Sequence, residues 1–181
     1  MSGKPARISG YRFCRQDRLL LDANIWLFVH GPNRPNRHKA KIYSQALRRM
    51  MEKGSQVYID VLIISEFINS YTRTEFGFAQ KKGASFKKFK EFRQSEAFRS
   101  IAKEVADATS LVLKQCHRIE SGFETLDIDA LVCEYAKGQS DFNDQVIAEI
   151  CRREQLKLVT DDSDFRDRGV PVLTANEAML S

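Results

Sequence analysis

The chain has 181 residues, 43% hydrophobic and 29% charged. That excludes a disordered chain, supplies one ordinary core, and is too short for two full-sized domains. The formal net charge is +5, and the four cysteines, Cys14, Cys116, Cys133 and Cys151, make no CxxC pair and no zinc-ligand spacing with a histidine, which argues against a zinc site or a disulfide framework.

No apolar run suits a signal peptide or the ~18 residues of a membrane span, so the expectation is a soluble protein of the reducing cytoplasm with no membrane partner. In chain order, residues 1–17 read as an N-terminal extension of a single domain spanning 1–181. Arg18–Leu21 reads as a short buried strand ending at Asp22, and Asn24–Val29 as a short helix. The stretch GPNRPN reads as a loop. Residues 38–52 then place Ile42, Tyr43, Ala46, Leu47, Met50 and Met51 at helical spacing, stopping near Gly54. Gln56–Ile59 reads as a second strand, and Val61–Tyr71 as a helix capped by Asp60. Residues 84–118 read as mostly helical, in two pieces, with a break near Gln94–Ser95 and Ser95 capping the second. Residues 119–128 read as an irregular strand, and Asp129–Lys137 and Phe142–Glu154 as helices. Leu156–Val159 and Val170–Leu173 read as buried strands. Strands alternating with helices predict a layered α/β protein with a parallel sheet, whose ligands bind beyond the carboxyl ends of the strands.

Charge is unevenly distributed. Residues 1–93 hold 19 basic and 7 acidic residues, whereas residues 94–181 hold 10 basic and 17 acidic. The densest basic stretch, 73–93, carries Lys81, Lys82, Lys87, Lys88 and Lys90 among Phe76, Phe78, Phe86, Phe89 and Phe92. Such a segment can grip a phosphate backbone and stack unpaired bases. Phe86, Phe89 and Phe92 also recur at helical spacing, which would turn them into a core. A second basic run, Arg34, Arg37, His38, Lys39 and Lys41, reads as a solvated helix face.

Four segments place a carboxylate at a strand exit or in the helix that follows: Asp22 in LLLDANIWLF, Glu66 in YIDVLIISEFINS, Asp144 in SDFNDQVIAEI and Asp162 in LKLVTDDSDF. Asp144 shares a helix face with Ile147, Ala148 and Cys151, so it extends an apolar stripe toward the core. A buried carboxylate needs a cation, strong hydrogen bonds or a raised pKa. Converging carboxylates are relieved by a hard divalent ion such as Mg²⁺, which supports hydrolysis of a phosphodiester. Each acid also has a plainer reading, as helix cap, dipole partner or turn former. No GxxxxGK[ST] or GxGxxG phosphate loop occurs. Asn24 stands where a haloacid-dehalogenase phosphatase needs a second Asp, and the acidic pair of a response regulator is missing.

These four ordered motifs, LLLDANIWL, IISEFIN, DFNDQVIAEI and LVTDDSDF, resemble the PIN-domain family of nucleases, including its VapC-like toxins. The resemblance runs from about residue 18 to 173. It implies a three-layer α/β/α fold with a central, mostly parallel sheet and a helical insertion or clip at 74–118. It assigns Asp22, Glu66, Asp144 and Asp162 as the metal-binding catalytic acids. Asn24 and Thr160 then orient the site, Asp141 is an extra ligand or a cap, and Asp164 supports the structure. Ala23 departs from the hydroxyl residue often found there. The implied activity is Mg²⁺- or Mn²⁺-dependent endoribonuclease cleavage, with RNA held by Lys81, Lys82, Lys87, Lys88 and Lys90. In the toxin branch the partners are a small antitoxin protein and a second copy in a homodimer. The rival readings are a catalytically silent scaffold or binding module of the same fold, and a structure-specific DNA nuclease.

Overall fold

The computed structural model describes residues 4–32, 36–138 and 141–181. Arg34 of the second basic run lies outside them.

The centre of the molecule is a parallel sheet. Its strands are β1 (Ala6–Arg7), β2 (Arg18–Leu21), β3 (Gln56–Ile59), β4 (His117–Arg118), β5 (Lys157–Val159) and β6 (Val172–Thr174). They run in the order β1-β6-β5-β2-β3-β4, and every pairing is parallel. Leu19, Leu20 and Leu21 are consecutive and all fully buried. A run without alternation is what a strand covered on both faces requires. The two edge strands are only two residues long, which limits the unpaired backbone that a sheet edge offers to other chains.

Helices cover both faces: α1 (Ala23–His30), α2 (Arg37–Glu52), α3 (Val61–Lys81), α4 (Phe89–Gln94), α5 (Ala97–Lys114), α6 (Ile128–Tyr135), α7 (Phe142–Arg153) and α8 (Glu177–Leu180). Their starts are set by side-chain caps. Asp22, Asn36, Asp60, Asp127, Asp141 and Asn176 each accept a hydrogen bond from a backbone N–H of the first turn. The apolar faces meet in one main core around β2, β5 and α7, in which Trp26, Phe67, Ile147 and Phe165 are at most 1% exposed. Trp26 satisfies its buried indole N–H on the Leu21 carbonyl at 3.1 Å.

Several boundaries differ from those the sequence suggests. α3 continues ten residues past Tyr71, through Gly77, with the hydroxyls of Thr72 and Thr74 bonded back to the carbonyls of Ile68 and Ser70. It stops at Lys82, before Gly83 at φ +86°. Residues 84–118 are mostly helical in two pieces, α4 and α5, as expected, and end in His117 and Arg118, which pair with β3 as β4. The stretch 119–128 is a turn with a 3-10 segment at Phe123–Thr125 instead of a strand. Ser95 closes α4, its hydroxyl on the Phe92 carbonyl at 2.7 Å, and Glu96 occupies the cap position of α5. The N-terminal residues 6–17 are packed: β1 joins the sheet, Ile8 and Phe13 enter the core, and Asp17 is 2% exposed.

The span 74–118 therefore comprises the end of α3, α4, α5 and β4. Its phenylalanines form a second, smaller core. Phe92 is fully buried and its ring lies 5.3–6.4 Å from those of Phe76, Phe86, Phe89 and Phe98. The inward reading of these aromatics holds, and the lysines between them are exposed.

Candidate active site

Sheet topology brings the first and last motifs together. β2 lies between β5 and β3, so the chain diverges to opposite sides of β2, and a crevice forms at the carboxyl ends of β2 and β5. Leu21 pairs with Val159, and the next residues are Asp22 and Thr160.

Asp22 is 4% exposed. Its Oδ1 accepts from the Ala23 N–H at 2.6 Å. Its Oδ2 accepts from Asn24 Nδ2 at 2.6 Å and from Thr160 Oγ1 at 2.7 Å. Thr160 Oγ1 also accepts from the Asp162 N–H at 3.0 Å and from Asn24 Nδ2 at 3.1 Å. One bond donated and two accepted exhaust the hydroxyl. Asp22 is thus a helix cap and also a carboxylate held in one orientation by two other side chains. Burial pushes its carboxyl above the ordinary range and the charge of Asp162 adds to the rise, while the bonds from Thr160, Ala23 and Asn24 oppose it.

The other acids come from α3, α7 and the turn after β5. Glu66 still reaches solvent, but partial burial, with the charges of Asp22, Asp141 and Asp162, pushes its carboxyl up to about 7. Asp144 is half-buried on the predicted face of α7, above buried Ile147, Ala148 and Cys151. Burial pushes it to about 7, with Asp162, Asp141 and Asp22 adding and Arg168 opposing. Asp141 both caps α7, accepting from the Asn143 N–H at 2.9 Å, and contributes to this field. Asp162 caps the 3-10 turn Ser163–Phe165 through the Asp164 N–H at 3.0 Å. Asp164 itself is exposed and makes its contacts through the main chain. Five carboxylates, Asp22, Glu66, Asp141, Asp144 and Asp162, therefore share one field.

Lys81 and Lys82 stand at the opposite end of α3 from Glu66, whereas α4 folds back so that Phe89 and Arg93 lie beside Ile68 and Asn69. Lys87, Lys88 and Lys90 lie around the start of α4. Along the axis of α3, Lys81 is about 22 Å from Glu66 at the usual helical rise. Lys39 of the second basic run ion-pairs with Asp161, so it is a structural contact and not a free face.

Two residues escaped the sequence. Asp161 accepts from Lys39 and from the Tyr43 hydroxyl at 2.8 Å, and its N–H donates to Asn24 Oδ1 at 3.1 Å. It braces the residue that braces Asp22. Its carboxylate looks like its neighbours' in TDDSDF, and only the position of α2 distinguishes it. Arg168 has no local signal either, since its proximity to Asp144 is tertiary.

The donor set is all carboxylate oxygen, and no basic side chain among the described residues offsets Glu66. That chemistry fits a hard divalent ion. No three His, Cys, Asp or Glu side chains among the described residues form a ready-made ligand cluster.

A family model described as PIN domain matches residues 19–171. No curated protein matches the chain. Among solved structures, the chain is similar to the crystal structure of PAE2754 from Pyrobaculum aerophilum, with 13% identity over 91% of this chain and 93% of that one and a TM-score of 0.50. At that identity the likeness bears on the fold alone.

Proposed function

Because the chain belongs to the PIN domain family, a family of nuclease type, we propose that it is a divalent-metal-dependent endoribonuclease. The observation that carries this reading is that burial first, and then the charges of Asp22, Asp141 and Asp162, push both Glu66 and Asp144 up to about 7. Carboxylates from four separate segments face one another without enough positive charge, an arrangement that stability alone does not favour.

Asp22, Asp144, Glu66 and Asp162 would hold Mg²⁺ or Mn²⁺, with Asp141 at the margin. When bound, such an ion supplies positive charge for attack on a phosphodiester and for departure of its leaving oxygen. The rest falls to the chain. Asn24 and Thr160 fix the rotamer of Asp22 before any ligand arrives, which lowers the reorganisation needed at binding. Asp162 and Asp141 are tied to the backbone of their own turns, so their carboxylates cannot swing far. Lys81, Lys82, Lys87, Lys88 and Lys90 would hold RNA through its phosphates on a strand laid along α3, which makes binding salt-sensitive. The role of toxin in a type II pair, with a small antitoxin and a homodimer, rests on the motif resemblance, as does the cytoplasmic setting. No helix among the described residues is long and apolar enough to cross a membrane.

The test is cleavage of matched single-stranded RNA and DNA oligonucleotides with Mg²⁺ or Mn²⁺. The expected result is RNA cleavage that EDTA stops and that Asp22→Asn or Asp144→Asn abolishes. Faster cleavage of DNA assigns a DNA nuclease. Binding without cleavage of either, unchanged by both substitutions, assigns a scaffold.

A further inference from the structure

Beside the acidic centre lies a cleft of about 540 Å³ between α7 and the turn after β5, lined in part by Ala148, Arg152, Ser163, Asp164, Asp167 and Arg168. Ala148 and Arg152 continue, one and two turns on, the helix face that carries Asp144. The cleft therefore runs along the side of α7 that carries Asp144, next in sequence to its lining residue Gln145.

The arginines of α7 and of the turn after β5 differ in one respect. Arg152 is committed to Glu149 at 2.7 Å and to the Arg168 carbonyl at 2.8 Å. Arg153 braces the carbonyls of Glu120 and Ser121. Arg166 turns away to the C-terminal end, onto the Ala178 carbonyl and Ser181 Oγ. Arg168 donates only its Nε, to the Asp164 carbonyl at 3.0 Å. Among the described residues, its two terminal nitrogens have no hydrogen-bond or ion-pair partner. It is half-buried, its own carbonyl is pinned to α7 by Arg152, and its charge reaches Asp144 without forming an ion pair.

A guanidinium held by Nε, with its terminal fork free and its backbone clamped, is preorganised for a planar, two-point contact with an oxyanion. A nearby carboxylate is the obvious partner, and the fold withholds it. Asp164 and Asp167 stand on the exposed rim, where solvent screens them. Glu134, also in the cleft wall, is paired with Lys137.

From this geometry we propose that Arg168 is the phosphate clamp of the site. It holds the backbone phosphate of a single-stranded RNA next to the one that lies over the carboxylates, and the cleft carries the strand onward past Arg152 and Ser163. This rests on the reading of the chain as a ribonuclease. It differs from the lysine grip at the far end of α3, because a contact beside the acids sets which bond sits over them, whereas a distant one sets only affinity.

The test measures binding of a single-stranded RNA oligonucleotide to Glu66→Gln protein, used to suppress cleavage, across a KCl series. Arg168→Gln is added in one arm and Arg168→Lys in another. Loss of the clamp should weaken binding about tenfold and reduce the slope of log affinity against log salt by about 1. Arg168→Lys should keep the slope, because the charge remains, and lose part of the affinity, because the fork does not. Unchanged affinity and slope in Arg168→Gln overturn the proposal, as does absence of RNA binding to Glu66→Gln protein at every salt concentration. Cleavage by the unaltered chain is scored separately. If that is absent while the slope still falls, the ribonuclease reading fails and the phosphate clamp stands.

Discussion

Asn24 holds Asp22 by a 2.6 Å bond from Nδ2 to Oδ2, while its own carbonyl oxygen takes the Asp161 N–H at 3.1 Å. The same amide thus binds the exit of β2 to the exit of β5. Behind Asp161 stand Lys39 and Tyr43 of α2, and Tyr43 also accepts from the Ala175 N–H at 2.9 Å.

Asn24→Ala removes a donor from Asp22 and leaves the Asp161 N–H without its acceptor. The expected cost is about 1–3 kcal/mol in urea unfolding. Cleavage should fall further than the loss of folded protein explains, because Asp22 loses its fixed rotamer. Activity that simply tracks the folded fraction would assign Asn24 a structural role only.

The acids make a prediction about pH. Glu66 and Asp144 at about 7 in the folded chain lie above their ordinary values of about 4. The folded state then binds more protons in that interval, so their contribution is fully present below about 4 and is lost as pH rises through 7. Metal-free protein should be less stable at pH 8 than at pH 5.5, by about 1–2 kcal/mol once solvent screening is allowed for, and melt lower. Mg²⁺ or Mn²⁺ should restore more stability at pH 8 than at pH 5.5. Asp144→Asn should stabilise the metal-free protein at pH 8 and shrink the metal response. A melting temperature indifferent to both pH and divalent ion contradicts this.

Asp17 behaves in the opposite sense. Burial disfavours its charge, yet hydrogen bonds from Lys157, from Tyr11 at 2.7 Å and from the Cys14 N–H at 2.8 Å outweigh it and hold the carboxyl below the ordinary range. That stability is present above about 4 and is lost as pH falls through the depressed value. Asp17→Asn should cost about 2 kcal/mol at pH 7 and less at pH 3, read from paired denaturation curves. An equal loss at both pH values would show that the charge on Asp17 is not what holds the N-terminal segment down.

Phe92 is the centre of the small aromatic core and touches none of the acids. Phe92→Ala should cost about 3–5 kcal/mol within α3, α4 and α5 and raise amide exchange there first. Divalent binding, followed by calorimetry at low temperature, should keep its affinity. A parallel loss of metal affinity would show that the two cores fold as one unit.

Residues 18–21 and 156–159 announce themselves as strands because a run of branched apolar residues has no other economical use in a chain of this length. Asp144 was readable because helical periodicity alone aligns it with Ile147, Ala148 and Cys151. The caps at Asp60 and Asp141 follow from residue type and position, since the first turn of a helix always has N–H groups to satisfy. These are short-range rules, and the amino-acid order obeys them directly. Three things lay beyond such rules: that Asp161 serves as a brace while the charge of Asp162 acts on the other acids, that the charge of Arg168 acts on Asp144, and that α4 folds back along α3 with its lysines. Each depends on distances between residues remote in the chain. Those distances are set by how α2, α3 and α7 dock on the sheet, which is a property of the packed core as a whole.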